Sequence, residues 1–126
     1  MPTGRRVLNS VTIWGTGTPR REFLYVDDLA DAIYFLIDKI DAKDIYNQGI
    51  THLNIGTGED ITIKDLAELI KRVVGFTDEI VYDNSKPDGT YRKLLDVSRI
   101  NRLGCKSKID LEEGIKKTYE WFLKHH

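Results

Sequence analysis

Between Thr62 and Gly75 the apolar residues Ile63, Leu66, Ala67, Leu69, Ile70, Val73 and Val74 recur at helical period and form one stripe. The segment has defined ends. Thr62 and Asp65 have capping-box spacing, and Gly75 tolerates the left-handed conformation that closes a helix. A single apolar stripe has to be buried against something, and β-like runs flank it: His52 to Ile55 before it and Glu79 to Tyr82 after it. Nearer the start, Val11 to Trp14 reads as a third short strand. It precedes a second helical stripe of Leu29, Ala32, Ile33, Leu36 and Ile37, capped by Asp27 or Asp28 and ending near Lys39. Residues Asp41 to Gly49 read as a polar connection and Asp83 to Thr90 as a turn-rich loop. Asp96 is the expected cap of a short helix that stops at Gly104. Asp110 with Glu113 opens a last helix faced by Leu111, Ile115, Tyr119 and Phe122, with Trp121 beside them. The expected fold is α/β, with few short strands and three to four helices. Three strands this short do not cover two helical layers, so part of the core is expected to lie outside this chain.

The balance of charge narrows the partners. Among 126 residues, 19 Lys plus Arg stand against 20 Asp plus Glu, a net charge of -1, which gives no support to a nucleic-acid coat or a membrane-surface protein. No apolar run reaches the length of a membrane span, and the start MPTGRRVLN has no signal-peptide core. One cysteine, Cys105, allows neither an intrachain disulfide nor a cysteine metal cluster. A cytoplasmic location is the default expectation.

The chemistry concentrates in Trp14 to Asp28, WGTGTPRREFLYVDD. A planar ring, two flexible glycines and two arginines stand in a loop before a helix. Aromatic faces stack on bases or sugars, guanidinium forks grip phosphate oxygens in pairs, and Gly15 and Gly17 admit a close backbone approach. A second candidate stretch is Asp88 to Lys93, which carries Arg92 and Lys93. Each feature also has a plain reading. Trp14 alone is most often a core or rim aromatic, and Arg21 alone pairs with Glu22 or Asp27. Asp88-Gly89 alone is a turn, and Gly56-Thr57-Gly58 is a structural turn in preference to a phosphate cradle. His52 reads as a packed histidine, His125 and His126 as a possible tag remnant, and Cys105 as a surface thiol.

The segment WGTGTPRREFLYVDDLADA resembles the substrate loop and following helix of GDP-L-fucose synthases. LNIGTGEDITIKDLAELIKRVVG resembles the next strand, loop and helix of that family, and KPDGTYRKLLDVSRINRLG its second substrate loop. IDLEEGIKKTYEWF is similar to the closing helix found across extended short-chain dehydrogenases and sugar-nucleotide epimerases. The resemblance runs from about Val11 to Leu123. It implies an NADP-dependent parent enzyme that epimerises and then reduces GDP-4-keto-6-deoxy-mannose to GDP-L-fucose. It implies that Trp14, Arg21 and Lys93 contact the GDP-sugar. Asp88 would accept hydrogen bonds from the ribose or the guanine edge. Arg6 would be a further GDP contact if the start of the chain is an abbreviated form of the family's own. Tyr91 stands where the family usually has proline.

Other family features are missing from the sequence. No G-x-x-G-x-x-G follows an N-terminal strand, and no helix carries a Tyr-x-x-x-Lys pair. The expectation is therefore a single C-terminal substrate-binding domain fragment over residues 1–126. It would hold GDP-sugar, bind no cofactor itself and be inactive alone, with no catalytic or metal residues. The alternative is a non-catalytic assembly module that pairs with a separate Rossmann half or forms a homo-oligomer. A third reading is a general phosphate binder that uses Arg20, Arg21, Arg92 and Lys93.

Overall fold

A computed structural model describes residues 10–126. Strand β1 (Ser10–Trp14) pairs in parallel with β4 (Glu79–Asp83), with Trp14 opposite Asp83. Between them run β2 (Arg20–Arg21), α1 (Val26–Lys39), α2 (Ala42–Tyr46), β3 (Ile61–Thr62) and α3 (Ile63–Val74). After β4 come β5 (Arg92–Lys93), α4 (Ser98–Arg102) and α5 (Leu111–His125). The second sheet has the order β3-β2-β5, antiparallel on one side of β2 and parallel on the other. The α/β class with few, short strands is as expected, and five helices are present among the described residues.

The long helices begin and end for the reasons their sequences give. Thr62 accepts a hydrogen bond from the Asp65 amide at 3.1 Å, and Gly75 closes α3 at φ 75°. Asp110 caps α5 through the Glu113 amide at 2.8 Å. Four expectations need correction. Neither Asp27 nor Asp28 caps α1; Tyr25 holds the cap position, and the buried Asp28 accepts instead from the amides of Lys108 and Ile109. That carboxylate faces inward, so it anchors the loop before α5. The polar connection after α1 contains a helical turn, α2, because Asp41 and Asp44 form a complete capping box. His52 to Ile55 is not a strand, since it pairs with no described strand; its Asn54 side chain donates instead to the Asp96 carbonyl. The short helix α4 ends at Arg102, and its cap is Val97; Asp96 accepts from the Ser98 amide just inside it.

The core is thin. Among the described residues only Ala32, Val97 and Ile100 are buried hydrophobics, with Leu36, Ile55 and Cys105 packed against them. Helices α3 and α5 pack together. They leave an apolar cleft of about 600 Å³ lined by Leu66, Ile70, Ile115, Tyr119 and Phe122 among others. Helix α1 presents Leu29, Ile33, Tyr34 and Ile37 to the outside. No described helix is long and apolar enough to cross a membrane.

Candidate nucleotide-sugar site

Two stretches far apart in sequence, Trp14–Arg21 and Asp88–Lys93, are locked together. One oxygen of Asp88 accepts from the Thr16 amide at 2.8 Å and the other from the Thr16 hydroxyl at 2.7 Å. The Arg20 amide donates to the Tyr91 carbonyl at 2.7 Å, and β2 and β5 then run side by side. Gly15 makes the contact possible: its φ is 90°, and an added Cβ would collide with the Asp88 carboxylate. The Thr16 hydroxyl and amide hold the Asp88 carboxyl below the usual carboxylate range. Asp88 is thus spent, at least in part, on joining the loops.

The pleat then sorts the cations. Parallel pairing sets Arg20 opposite Arg92 and Arg21 opposite Lys93, and successive strand residues point to opposite faces. On one face Asp60 takes both arginines: Arg20 at 3.0 Å and Arg92 Nε at 2.5 Å, with its own side chain 5% exposed. Burial works against the Asp60 charge, yet the hydrogen bonds from Arg92 and Arg20 outweigh it and keep its carboxyl below the usual range. On the other face Arg21 and Lys93 have no ion pair among the described residues. Arg21 reaches the Arg20 carbonyl with Nη1 at 2.6 Å, and its other terminal nitrogen lies beside Gly89. Arg21 also lines a cleft of about 400 Å³ with Phe23, Ile61 and Lys108. Trp14, Asp88 and Lys93 do not line that cleft; Trp14 stands 72% exposed at the end of β1, with the Lys86 ammonium 5.2 Å above its ring.

The remaining candidates fall out as follows. Arg6 lies outside the described residues. The Gly56–Gly58 turn offers its amides to Glu22, which accepts from Thr57 N at 2.9 Å and Gly58 N at 2.6 Å. A turn filled in this way does not fit a dinucleotide pyrophosphate, so the described residues provide no NADP cradle there. Tyr82 and Lys86 have Tyr-x-x-x-Lys spacing, but they lie on β4 and the turn after it, where that spacing does not align the two side chains. His52 lines a small polar cavity with Arg99 and Arg102, while His125 stacks on Trp121 at 4.2 Å. No group of His, Cys, Asp and Glu among the described residues is arranged to hold a metal ion. Thr16, Glu22 and Asp60 organise the site, yet nothing in their local spacing marks them out, because their partners lie 32 to 73 residues away.

Known proteins resemble this arrangement along nearly the whole chain. The NAD dependent epimerase/dehydratase family matches residues 3–56. The probable GDP-L-fucose synthase 1 of Oryza sativa subsp. japonica is 52% identical over 115 residues, 91% of this chain and 33% of that protein. This chain is a partial relative of the GDP-L-fucose synthases. It spans about a third of the length of the curated synthases it matches. The same extent is seen in solved structures. A GDP-6-OMe-4-keto-L-xylo-heptose reductase from C. jejuni superposes with a TM-score of 0.87 and 46% identity, over 94% of this chain and 35% of that one. MlghC, a GDP-mannoheptose C4 reductase from Campylobacter jejuni with NADP bound, superposes with a TM-score of 0.79 and 47% identity. The match covers 91% of this chain and 35% of that reductase.

Proposed function

We propose that this chain is the substrate-binding part of a GDP-L-fucose synthase and that it holds the GDP-sugar through Trp14, Arg21, Asp88 and Lys93. The observation that carries the reading is the register of β2 and β5, which sets Arg21 beside Lys93 with no ion pair among the described residues. Two adjacent cations match the two charges of a nucleoside diphosphate linkage. The exposed Trp14 ring offers a stacking or packing face, and the Asp88–Thr16 lock fixes the distance between the two loops. The synthases and GDP-sugar reductases that match the chain favour a GDP-linked sugar. Arg6 is a further proposed contact.

The same reading makes the isolated chain a binder and not a catalyst. Hydride transfer needs a cofactor held against the sugar carbon, and the amides of the Gly56–Gly58 turn are taken by Glu22. NADP would belong to the parent enzyme. Steady NADPH oxidation by the 126-residue chain with the keto-sugar would falsify this part. For binding, the test is thermal shift with GDP, ADP and inorganic pyrophosphate. GDP should raise the melting temperature most, and Arg21→Gln with Lys93→Gln should remove the effect. Equal shifts with all three ligands would reduce the site to plain anion capture.

A second reading rests on the exposed apolar residues Leu29, Ile33, Tyr34 and Ile37 of α1. Such a face favours an assembly module, one that pairs with a separate Rossmann half or with itself. Light scattering over a concentration series decides: growth in mass supports self-association, and a constant monomer mass opposes it.

A further inference from the structure

Helix α4 and the segment leading into the Gly56–Gly58 turn enclose a polar cavity of about 370 Å³. It shares no lining residue with the Arg21 cleft. Its walls are His52, Asn54, Asp96, Ser98, Arg99 and Arg102. The core fixes the frame from behind: Val97 and Ile100 are buried, and Ile55 packs against them. The Asn54 side chain donates to the Asp96 carbonyl at 3.2 Å and ties one wall to the other. Arg99 and Arg102 stand three residues apart on α4, so their side chains are neighbours on the helix surface.

The walls are unbalanced toward donors. Two guanidinium groups and an imidazole share the cavity with a single carboxylate, that of Asp96. This carboxylate already accepts from the Ser98 amide at 2.9 Å. The bonds from Ser98, with the nearby Arg102 and Arg99 charges, hold it below the usual carboxylate range. Neither arginine makes an ion pair among the described residues. A tetrahedral dianion suits such a set, because each guanidinium fork takes two oxygens and the imidazole has an N–H donor in either tautomer. A planar carboxylate has only two oxygens and leaves one fork without a partner. We propose that Arg99, Arg102 and His52 form a second anion site, which takes the phosphoryl group of a phosphomonoester. The site uses none of the residues assigned to the GDP-sugar and stands independently of that reading.

The experiment is titration calorimetry of the full chain carrying Arg21→Gln and Lys93→Gln, so that the diphosphate pair contributes nothing. The probes are inorganic phosphate, glycerol phosphate and, as control anion at equal ionic strength, acetate. Both phosphates should bind. Adding Arg99→Gln and Arg102→Gln should weaken them about tenfold, the size of two exposed charge contacts. His52→Ala should weaken them about threefold, the size of one ordinary hydrogen bond. Absence of phosphate binding overturns the proposal, as does binding that survives Arg99→Gln with Arg102→Gln. Acetate that binds as tightly as phosphate also overturns it, because bare positive charge then accounts for the site. Binding of inorganic phosphate without glycerol phosphate overturns the assignment to a monoester. Should the glutamine variant not fold, Arg99→Lys with Arg102→Lys keeps the charge and removes the forks, and undiminished phosphate binding there overturns the proposal. Failure of the GDP site appears separately, as a GDP-induced thermal shift of the unmodified chain that is insensitive to Arg21→Gln and Lys93→Gln.

Discussion

The β3-β2-β5 side of the molecule and its helical side are held by different forces. Around β2 the links are polar, short and long-range: Asp88 to Thr16, Asp60 to Arg20 and Arg92, Glu22 to the Gly56–Gly58 turn. On the helical side the buried core among the described residues shrinks to Ala32, Val97 and Ile100, and α1 carries exposed Ile33, Tyr34 and Ile37. A network of this kind fixes geometry with little burial, whereas helix packing needs apolar area. The loops of the candidate site are therefore tied to one another by polar links, and the helices are thinly packed around them. The contrast predicts that single polar changes near β2 cost more than large apolar changes on α1.

The sharpest attempt to break that contrast is Glu22→Ala. Glu22 accepts from the amides of Thr57, Gly58 and Leu95 and from the Thr57 hydroxyl, so its loss strands several donors at once. A loss of about 3 kcal/mol in urea unfolding is expected, since each unmade hydrogen bond to a charged group costs about 1.5–3 kcal/mol and water recovers part of it. A change under about 0.5 kcal/mol, the size of an ordinary surface substitution, would dissolve the distinction between the two sides. Gly15→Ala comes next. The added Cβ meets the Asp88 carboxylate, and the φ of 90° is one that alanine resists. About 2 kcal/mol of destabilisation is expected from strain at such a position, together with loss of the GDP-induced thermal shift.

These sites also mark where the sequence stops being readable. Helix α3 was legible from end to end, because its stripe, its Thr62 cap and its Gly75 stop are all local. Strands β1 and β4 were legible from their short β-like runs. His52 to Ile55 misled for a physical reason: a strand is defined by its neighbour, and alternation alone does not supply one. Asp28 misled in a similar way, since its position before the stripe fits a cap while its partners are Lys108 and Ile109, far along the chain. Arg21 and Lys93 came from the family resemblance, but their separation from Arg20 and Arg92 depends on register, which no local pattern carries.

A smaller effect is expected from Asp88→Asn, and its pH dependence sharpens the account of the loop lock. The folded-state carboxyl of Asp88 titrates below the ordinary aspartate value of 3.8 because the charged form is hydrogen-bonded by Thr16. A depressed carboxyl contributes stability that is fully present above the unfolded value and is lost as pH falls through the folded one. At neutral pH Asp88→Asn should therefore melt below the unmodified chain. The gap should narrow once pH drops below 3.8 and close when both chains are neutral at that position. A gap that stays constant through that range would mean that the charge of Asp88 contributes nothing to the lock.

The smallest effect belongs to the other side of the comparison. Ile37 is large, apolar and 79% exposed on α1, so Ile37→Lys removes little contact within the chain. Its cost should stay within about 0.5 kcal/mol, the range of surface substitutions that break no packing, cap or network. Lysine is also a better helix former than isoleucine, which offsets part of any loss. The informative measurement is unfolding at two protein concentrations. If Ile37 is free in solution, stability is unchanged at both. If the α1 face is covered by a second copy, the unmodified chain gains stability with concentration while Ile37→Lys does not, because only a species that binds the folded state shifts the equilibrium by mass action. In that case the thin core belongs to the monomer alone, and the contrast with the β2 network becomes a contrast between what one chain holds together and what two chains do.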